Sequence, residues 1–219
     1  MLRDAAVDII MKRLGNNTDT SLRDDIINEM AFVQETILEG GEFKPWFMLS
    51  EVSSVNGSAS EERLALPSDF LMEYEQGALY RYDTSADNPW VELVKDDIDR
   101  LRALYSETED KPLYYALAGD YFLLKPTPDA VYTYKMRYYK TQTSLAGTYG
   151  DAANVENAWL KHASDWFIGE VGAIIASQYL QSEVLAQRFM EQAAKGKLRV
   201  RTQHYAREEA NWTRAMGDD

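Results

Sequence analysis

The sequence contains no cysteine and only two histidines among its 219 residues. The first absence excludes disulfides and thiol nucleophiles. With the second, it leaves any zinc site to rest on His162, His204 and carboxylates. The two histidines stand far apart, without a carboxylate or histidine partner at metal-ligand spacing, so no metal is expected. No phosphate-cradling glycine loop occurs, and no Gly-x-Ser-x-Gly nucleophile elbow. The densest apolar run, residues 166–176, falls well short of the ~20 residues needed to cross a bilayer. Arg3 and Asp4 lead into an amphipathic pattern without the apolar core or cleavage site of a signal peptide, so the expectation is a product made in the cytoplasm with no membrane segment. Basic residues are the scarcer charge. A net charge of −13 repels DNA and RNA at long range and argues against a sequence-reading nucleic-acid binder.

What is present is organised around Trp159–Tyr179. Trp166, Phe167, Ile168, Val171, Ile174 and Ile175 leave this stretch almost no polar face, and Glu170 is its one charge between Asp165 and Glu183. A helix apolar on nearly every side is buried against several neighbours at once, which predicts the central helix of a bundle. Gly169, Gly172, Ala173 and Ala176 recur at three and four residues, lining one face where another backbone can approach closely. Asn154 or Asn157 is the candidate cap. Glu170 is expected to pair with an arginine or a tyrosine hydroxyl, or to lie on the exposed edge. His162 is expected at the surface near the first turn.

Upstream, Leu2, Ala6, Ile9 and Ile10 predict a short helix stopped at Gly15-Asn16-Asn17. Ser21 with Asp24 reads as a capping box for a second helix ending at Gly40-Gly41. After Pro45 the period changes to two. Trp46–Val52 can be extended and Val55–Glu62 is a loop; Leu64–Leu66, Leu71–Glu75, Leu79–Tyr82 and Trp90–Val94 are strand signals, with a turn at Asp83–Pro89. Asp96-Asp97 starts a short helix to Tyr105, and Glu107–Pro112 is a loop. Tyr114–Leu117 and Tyr121–Leu124 form a hairpin across Ala118-Gly119-Asp120. In Val131–Tyr139, Tyr132, Tyr134, Met136 and Tyr138 form the buried side. A last helix begins near Glu183, with Leu185, Phe189 and Ala193 as core positions and Gly196 bending or breaking it.

The predicted fold class is therefore α+β: a helical bundle from the N- and C-terminal helices, residues 1–45 and 151–219, with an inserted antiparallel β module, residues 46–150.

The order of motifs resembles one family. Pro45-Trp46 is followed by Leu66-Pro67-Ser68-Asp69-Phe70-Leu71, and then by the run from Tyr115-Ala116-Leu117-Ala118-Gly119-Asp120 through Lys125-Pro126-Thr127-Pro128. Tyr134-Lys135-Met136-Arg137-Tyr138-Tyr139 comes next, and Asn157-Ala158-Trp159-Leu160 opens the long helix. Together, over roughly residues 20–185, these resemble the head-to-tail adaptor (connector) proteins of tailed bacteriophages, a group that includes the tail tubular A proteins. The resemblance implies a virion structural protein of the neck, without catalytic residues or cofactors. It implies a ring, usually of twelve copies, between the portal protein and the tail or nozzle proteins, through which DNA passes without specific binding.

The resemblance also implies a location, since the portal-contacting segment of that family is commonly the C-terminal helix and tail, here Lys195–Arg214. Within Arg188–Arg214 the sign reverses, with seven bases against Glu191, Glu208 and Glu209. A basic end on an acidic protein suggests contact with an acidic surface. The residues expected to dock on the portal are Arg199, Arg201, Tyr205, Arg207 and Trp212, an arginine and aromatic set of the kind that dominates interfaces. Residues 195–219 hold few strong apolar anchors and are expected to fold on docking. The alternative is a carbohydrate- or nucleotide-processing enzyme. It would use the tyrosines at Tyr80/Tyr82, Tyr114/Tyr115 and Tyr132–Tyr139 with Glu73 and Glu75 or Asp96, Asp97 and Asp99 as carboxylates. Against it, alternation sets Glu73 and Glu75 on a solvated face, and the aspartates start a helix.

Overall fold

The computed structural model describes residues 1–15, 18–75, 77–84, 89–152 and 154–215, with side chains through residue 209. The expected stop at Asn16-Asn17 and positions 85–88 of the expected turn lie outside the described residues. The order is α1 (Arg3–Arg13), α2 (Thr20–Phe32), a π-helical segment Val33–Glu39, a 3-10 turn Trp46–Met48, β1 (Leu49–Asn56), β2 (Arg63–Ala65), β3 (Phe70–Glu73), β4 (Leu79–Tyr82), β5 (Trp90–Glu92) and β6 (Val94–Lys95). Then come α3 (Ile98–Leu104), β7 (Glu109–Asp110), β8 (Tyr114–Ala118), β9 (Tyr121–Lys125), β10 (Thr127–Pro128) and β11 (Thr133–Lys140). The chain closes with α4 (Ala158–His162), α5 (Ser164–Ile174), a second π-helical segment Ile175–Tyr179, and α6 (Glu183–Ala215). The protein is mixed α+β. It divides into two compact units, Met1–Met48 with Gln142–Asp219, and Leu49–Thr141.

In the helical unit, α2 is capped by Asp19 rather than Ser21. The Asp19 carboxylate accepts from the Leu22 N–H at 3.1 Å while its own backbone is extended, which leaves Ser21 inside the helix. Asn157 caps α4, accepting from the Leu160 N–H at 3.1 Å. The single central helix predicted from Trp159 is two, because Ala163 departs from helical geometry (φ −132°, ψ 28°). α5 buries Trp166, Phe167, Ile168, Val171 and Ala173. It lies antiparallel to α6, with Trp166 facing Gly196, Gly169 facing Ala193 and Gly172 facing Phe189. A Cβ on Gly169 would stand 2.5 Å from the Ala193 backbone nitrogen, and one on Gly196 would stand 2.8 Å from the Trp166 Cα. Gly196 does not break the helix. It makes room for α5, and α6 runs on unbroken to Ala215.

Two polar clusters fasten the segment that returns from the sheet. The fully buried Arg3 donates to Asp4 (3.1 Å), the Ala146 carbonyl (3.1 Å), the Thr148 carbonyl (2.7 Å) and Asp151 (2.7 Å). Buried Glu39 accepts at one oxygen from Gln34 Nε2 (3.0 Å), the Gln142 N–H (3.1 Å) and Trp159 Nε1 (3.3 Å). Burial pushes the Glu39 carboxyl above its ordinary pKa, against the pull of those donors. Phe47 packs edge-on to Trp159 at 4.9 Å. These contacts put residues 46–48 and 142–150 with the helices, whereas the sequence reading had placed them with the sheet.

In the second unit, β11 carries the largest sheet, ordered β1-β11-β4-β5 with β3 also paired to β11. Tyr134, Met136 and Tyr138 of β11 are buried together with Leu79, Phe122 and Leu124. β8 and β9 form the expected hairpin, Ala118 opposite Tyr121, and Gly119 supplies the left-handed turn residue (φ +66°). Three parts of the sequence reading are corrected. The module is not wholly antiparallel: β6 pairs parallel with β8, and β7 with β10. The intervening α3, capped by Asp97, turns the chain back so that β8 runs in the same direction as β6. Trp46–Met48 is a 3-10 turn rather than extended chain, and β1 continues through Val55 and Asn56, paired to Tyr134 and Thr133. Among the described residues, no helix is long and apolar enough to cross a membrane.

Candidate functional site

α6 is three times the length of α5, and only its first half has α5 to lie against. The basic residues of its second half follow the helical repeat, and several turn inward onto aromatic rings of their own unit. Lys197 Nζ lies 5.4 Å from the Trp166 ring centroid, the Arg201 guanidinium 5.2 Å from Phe43, and the Arg207 guanidinium 4.6 Å from Trp46. His204 stands edge-on to Phe43 at 5.1 Å and bonds Glu208 at 3.3 Å. Arg199 bonds Asp165 across the start of α5 at 3.0 Å. The strip Phe43–Met48 thus lies under the cations; Arg201 and Arg207 remain exposed, and cation–π contacts of this kind each contribute roughly 0.5–1 kcal/mol.

Of the five residues expected to dock, Arg199, Arg201 and Arg207 are held by contacts within the unit. Tyr205 is 55% exposed, and the Trp212 side chain lies outside the described residues. Sequence reasoning missed the aromatic strip beneath the cations; the spacing 197, 201, 204, 207 was its only sign. His162 is at the last turn of α4, half-buried and stacked on Phe47 at 5.4 Å, rather than on the surface near the first turn. Burial, with Lys161 and Arg207 nearby, pushes its pKa down. Glu170 accepts from the Trp166 indole N–H at 3.0 Å rather than from an arginine or tyrosine.

The carboxylates considered for catalysis separate into two groups. Asp97 caps α3 and Asp96 pairs with Arg100, so neither is poised for chemistry. Glu75 is exposed, as the alternation predicts, whereas Glu73 is half-buried. With Glu92, Lys95, Tyr74 and Tyr115 they line an open cleft of about 730 Å³ in the second unit. Glu73 there is ion-paired with Lys95 and accepts from the Tyr115 hydroxyl at 3.4 Å. Burial and the neighbouring Glu73 push the Tyr115 pKa up. No cluster of metal-ligating side chains occurs among the described residues.

The sequence matches the SU10 adaptor protein family over residues 3–216, nearly the whole chain and both units. The chain belongs to the SU10 adaptor protein family. This is a phage head-to-tail adaptor family, and the protein accordingly has a structural role as a virion component. No curated protein matches the chain.

Proposed function

We propose that this adaptor forms a closed ring of about twelve copies in the neck of the virion, between the portal protein and the tail or nozzle proteins. The helices of the first unit act as a bundle that makes the ring contacts, and the ring continues the channel through which DNA passes. A net charge of −13 suits a wall along which DNA slides without being held. The observation that carries the reading is the family match over residues 3–216. The C-terminal part of α6, with Arg199, Arg201, Tyr205, Arg207 and Trp212, docks on the portal.

The test is the mass of the protein by light scattering, alone and mixed with portal rings from the same phage. Stoichiometric addition to the portal is expected for the parent. It should be lost in Arg199→Glu/Arg201→Glu and weakened in Tyr205→Ala, whose exposed side chain can be removed without disturbing the fold. Unchanged attachment in all variants with unchanged melting would refute the docking assignment. The enzyme reading has the Glu73 cleft in its favour. Within it, Glu73 is already engaged by Lys95 and the Tyr115 hydroxyl.

A further inference from the structure

Two surface patches of the helical unit carry exposed apolar side chains inside rims of opposite charge. The first lies on α2 and the π-helical segment after α5. Phe32 is 50% exposed, and Tyr179, also exposed, donates from its hydroxyl to Glu29 at 3.1 Å, which fixes the two elements side by side. Asp25, one turn before Glu29, completes an acidic rim. The nearest base on α2, Arg23, is turned away onto Asp8 and the Tyr149 ring. The second patch lies on the side of α6 opposite its buried positions Phe189, Ala193 and Val200. There Leu198 is 67% exposed, and Met190, also exposed, lies about two turns earlier on the flank of that side. Arg188 and Lys195 border Leu198 on one side, and neither has an ion pair among the described residues; Glu191 is the one acid beside them.

Apolar side chains of this size rarely stand in rows on a surface that meets only water. Each patch lacks what the other has: one offers carboxylates around an aromatic centre, the other cations around aliphatic side chains. We infer that the acidic Phe32–Tyr179 patch of one copy docks on the basic Met190–Leu198 face of α6 of a second copy of this chain. The contact joins unlike patches, so each copy keeps one of each free for further neighbours. Opposed charge fixes the pairing and disfavours like-on-like contact, while the apolar centres supply the burial. The inference rests on the self-assembly in the reading above and names the surfaces that carry it.

Because the chain has no cysteine, single cysteines report contacts without background. Full-length Phe32→Cys and Leu198→Cys proteins are mixed with a short bismaleimide crosslinker over a range of protein concentrations. The mixed 32–198 product is expected to exceed both like pairs severalfold, and to exceed equally a mixture with Leu113→Cys on the second unit. Arg188→Glu/Lys195→Glu on the Leu198→Cys protein should remove it, and Asp25→Lys/Glu29→Lys on the Phe32→Cys protein should restore it, with melting curves confirming that each variant folds. A mixed product no stronger than the like pairs, at every concentration, overturns the inference. If sizing shows a ring in that case, the ring reading stands with its contacts elsewhere. A strong mixed product from a species that never grows past a dimer keeps the inference and overturns the ring.

Discussion

Replacing Gly169 by alanine sets two effects of opposite sign against each other. In an unobstructed helix the change stabilises by about 1 kcal/mol, because alanine loses less backbone freedom than glycine on folding. Here the new Cβ would lie 2.5 Å from the backbone nitrogen of Ala193 and 2.7 Å from its Cα. Ordinary contact needs close to 1 Å more, and the obstacle is helix backbone, which cannot rotate aside. Opening a well-packed contact in this way costs roughly 1–3 kcal/mol. The net expectation is a loss of up to about 2 kcal/mol, which for a chain of this size lowers Tm by up to roughly 8 °C. Gly196→Ala, whose Cβ would meet the Trp166 Cα at 2.8 Å, should behave alike. Gly172→Ala should cost less, since its obstacle is the Phe189 ring, a side chain that can turn. The assay is thermal and urea unfolding followed by far-ultraviolet circular dichroism. A Gly169→Ala protein more stable than the parent, by the full gain expected of an unobstructed helix, refutes the argument that these glycines set the distance between α5 and α6.

Arg3→Ala removes a fully buried cation that Asp4, Asp151 and two carbonyls share, leaving the two carboxylates to the Gly150 and Thr148 N–H groups. A loss of about 3–5 kcal/mol is expected, read as a fall in the urea midpoint and as early proteolysis within residues 142–157; an unchanged midpoint would show that the clamp is dispensable. Glu39 contributes with the opposite sign to most carboxylates. Its folded pKa is raised by burial, so its contribution is full below the ordinary carboxylate value of about 4.3 and is lost as pH rises through the higher folded value. Glu39→Gln retains an oxygen for all three donors and should flatten that decline in Tm against pH; parallel curves for parent and variant would show that Glu39 does not set it.

The hairpin of β8 and β9 was legible because its turn chemistry and its alternation agree over a dozen consecutive residues. The same holds for the buried side of β11, where Tyr134, Met136 and Tyr138 follow a period of two. Gly169 and Gly172 were legible as a close-approach face because helical spacing brings them together without knowledge of the partner. Arg3 was not, since every group it bonds beyond Asp4 lies more than 140 residues away and near-neighbour spacing says nothing of it. The parallel pairs of β6 with β8 and β7 with β10 are two residues long, too short for any periodicity to register. Of the candidate surface, the cations of α6 were legible as a cluster. Their direction was not, because Phe43 and Trp46 come from a segment some 150 residues earlier, so an inward-facing arginine and a solvated one look alike in the sequence.

β1 begins with Leu49 opposite Tyr139 of β11, so the chain enters and leaves the second unit side by side on adjacent strands. This has a consequence for the order of folding. On the ribosome, α1 and α2 emerge long before α5 and α6, and joining them across roughly ninety unstructured residues would cost on the order of 4 kcal/mol in loop closure. Once the sheet has formed, its two ends are already neighbours and that span has shrunk to a strand pair. A β unit that closes first would present the two halves of the helical unit to each other, and on that order a mutation that slows the β1–β11 pairing should delay the helices it never touches.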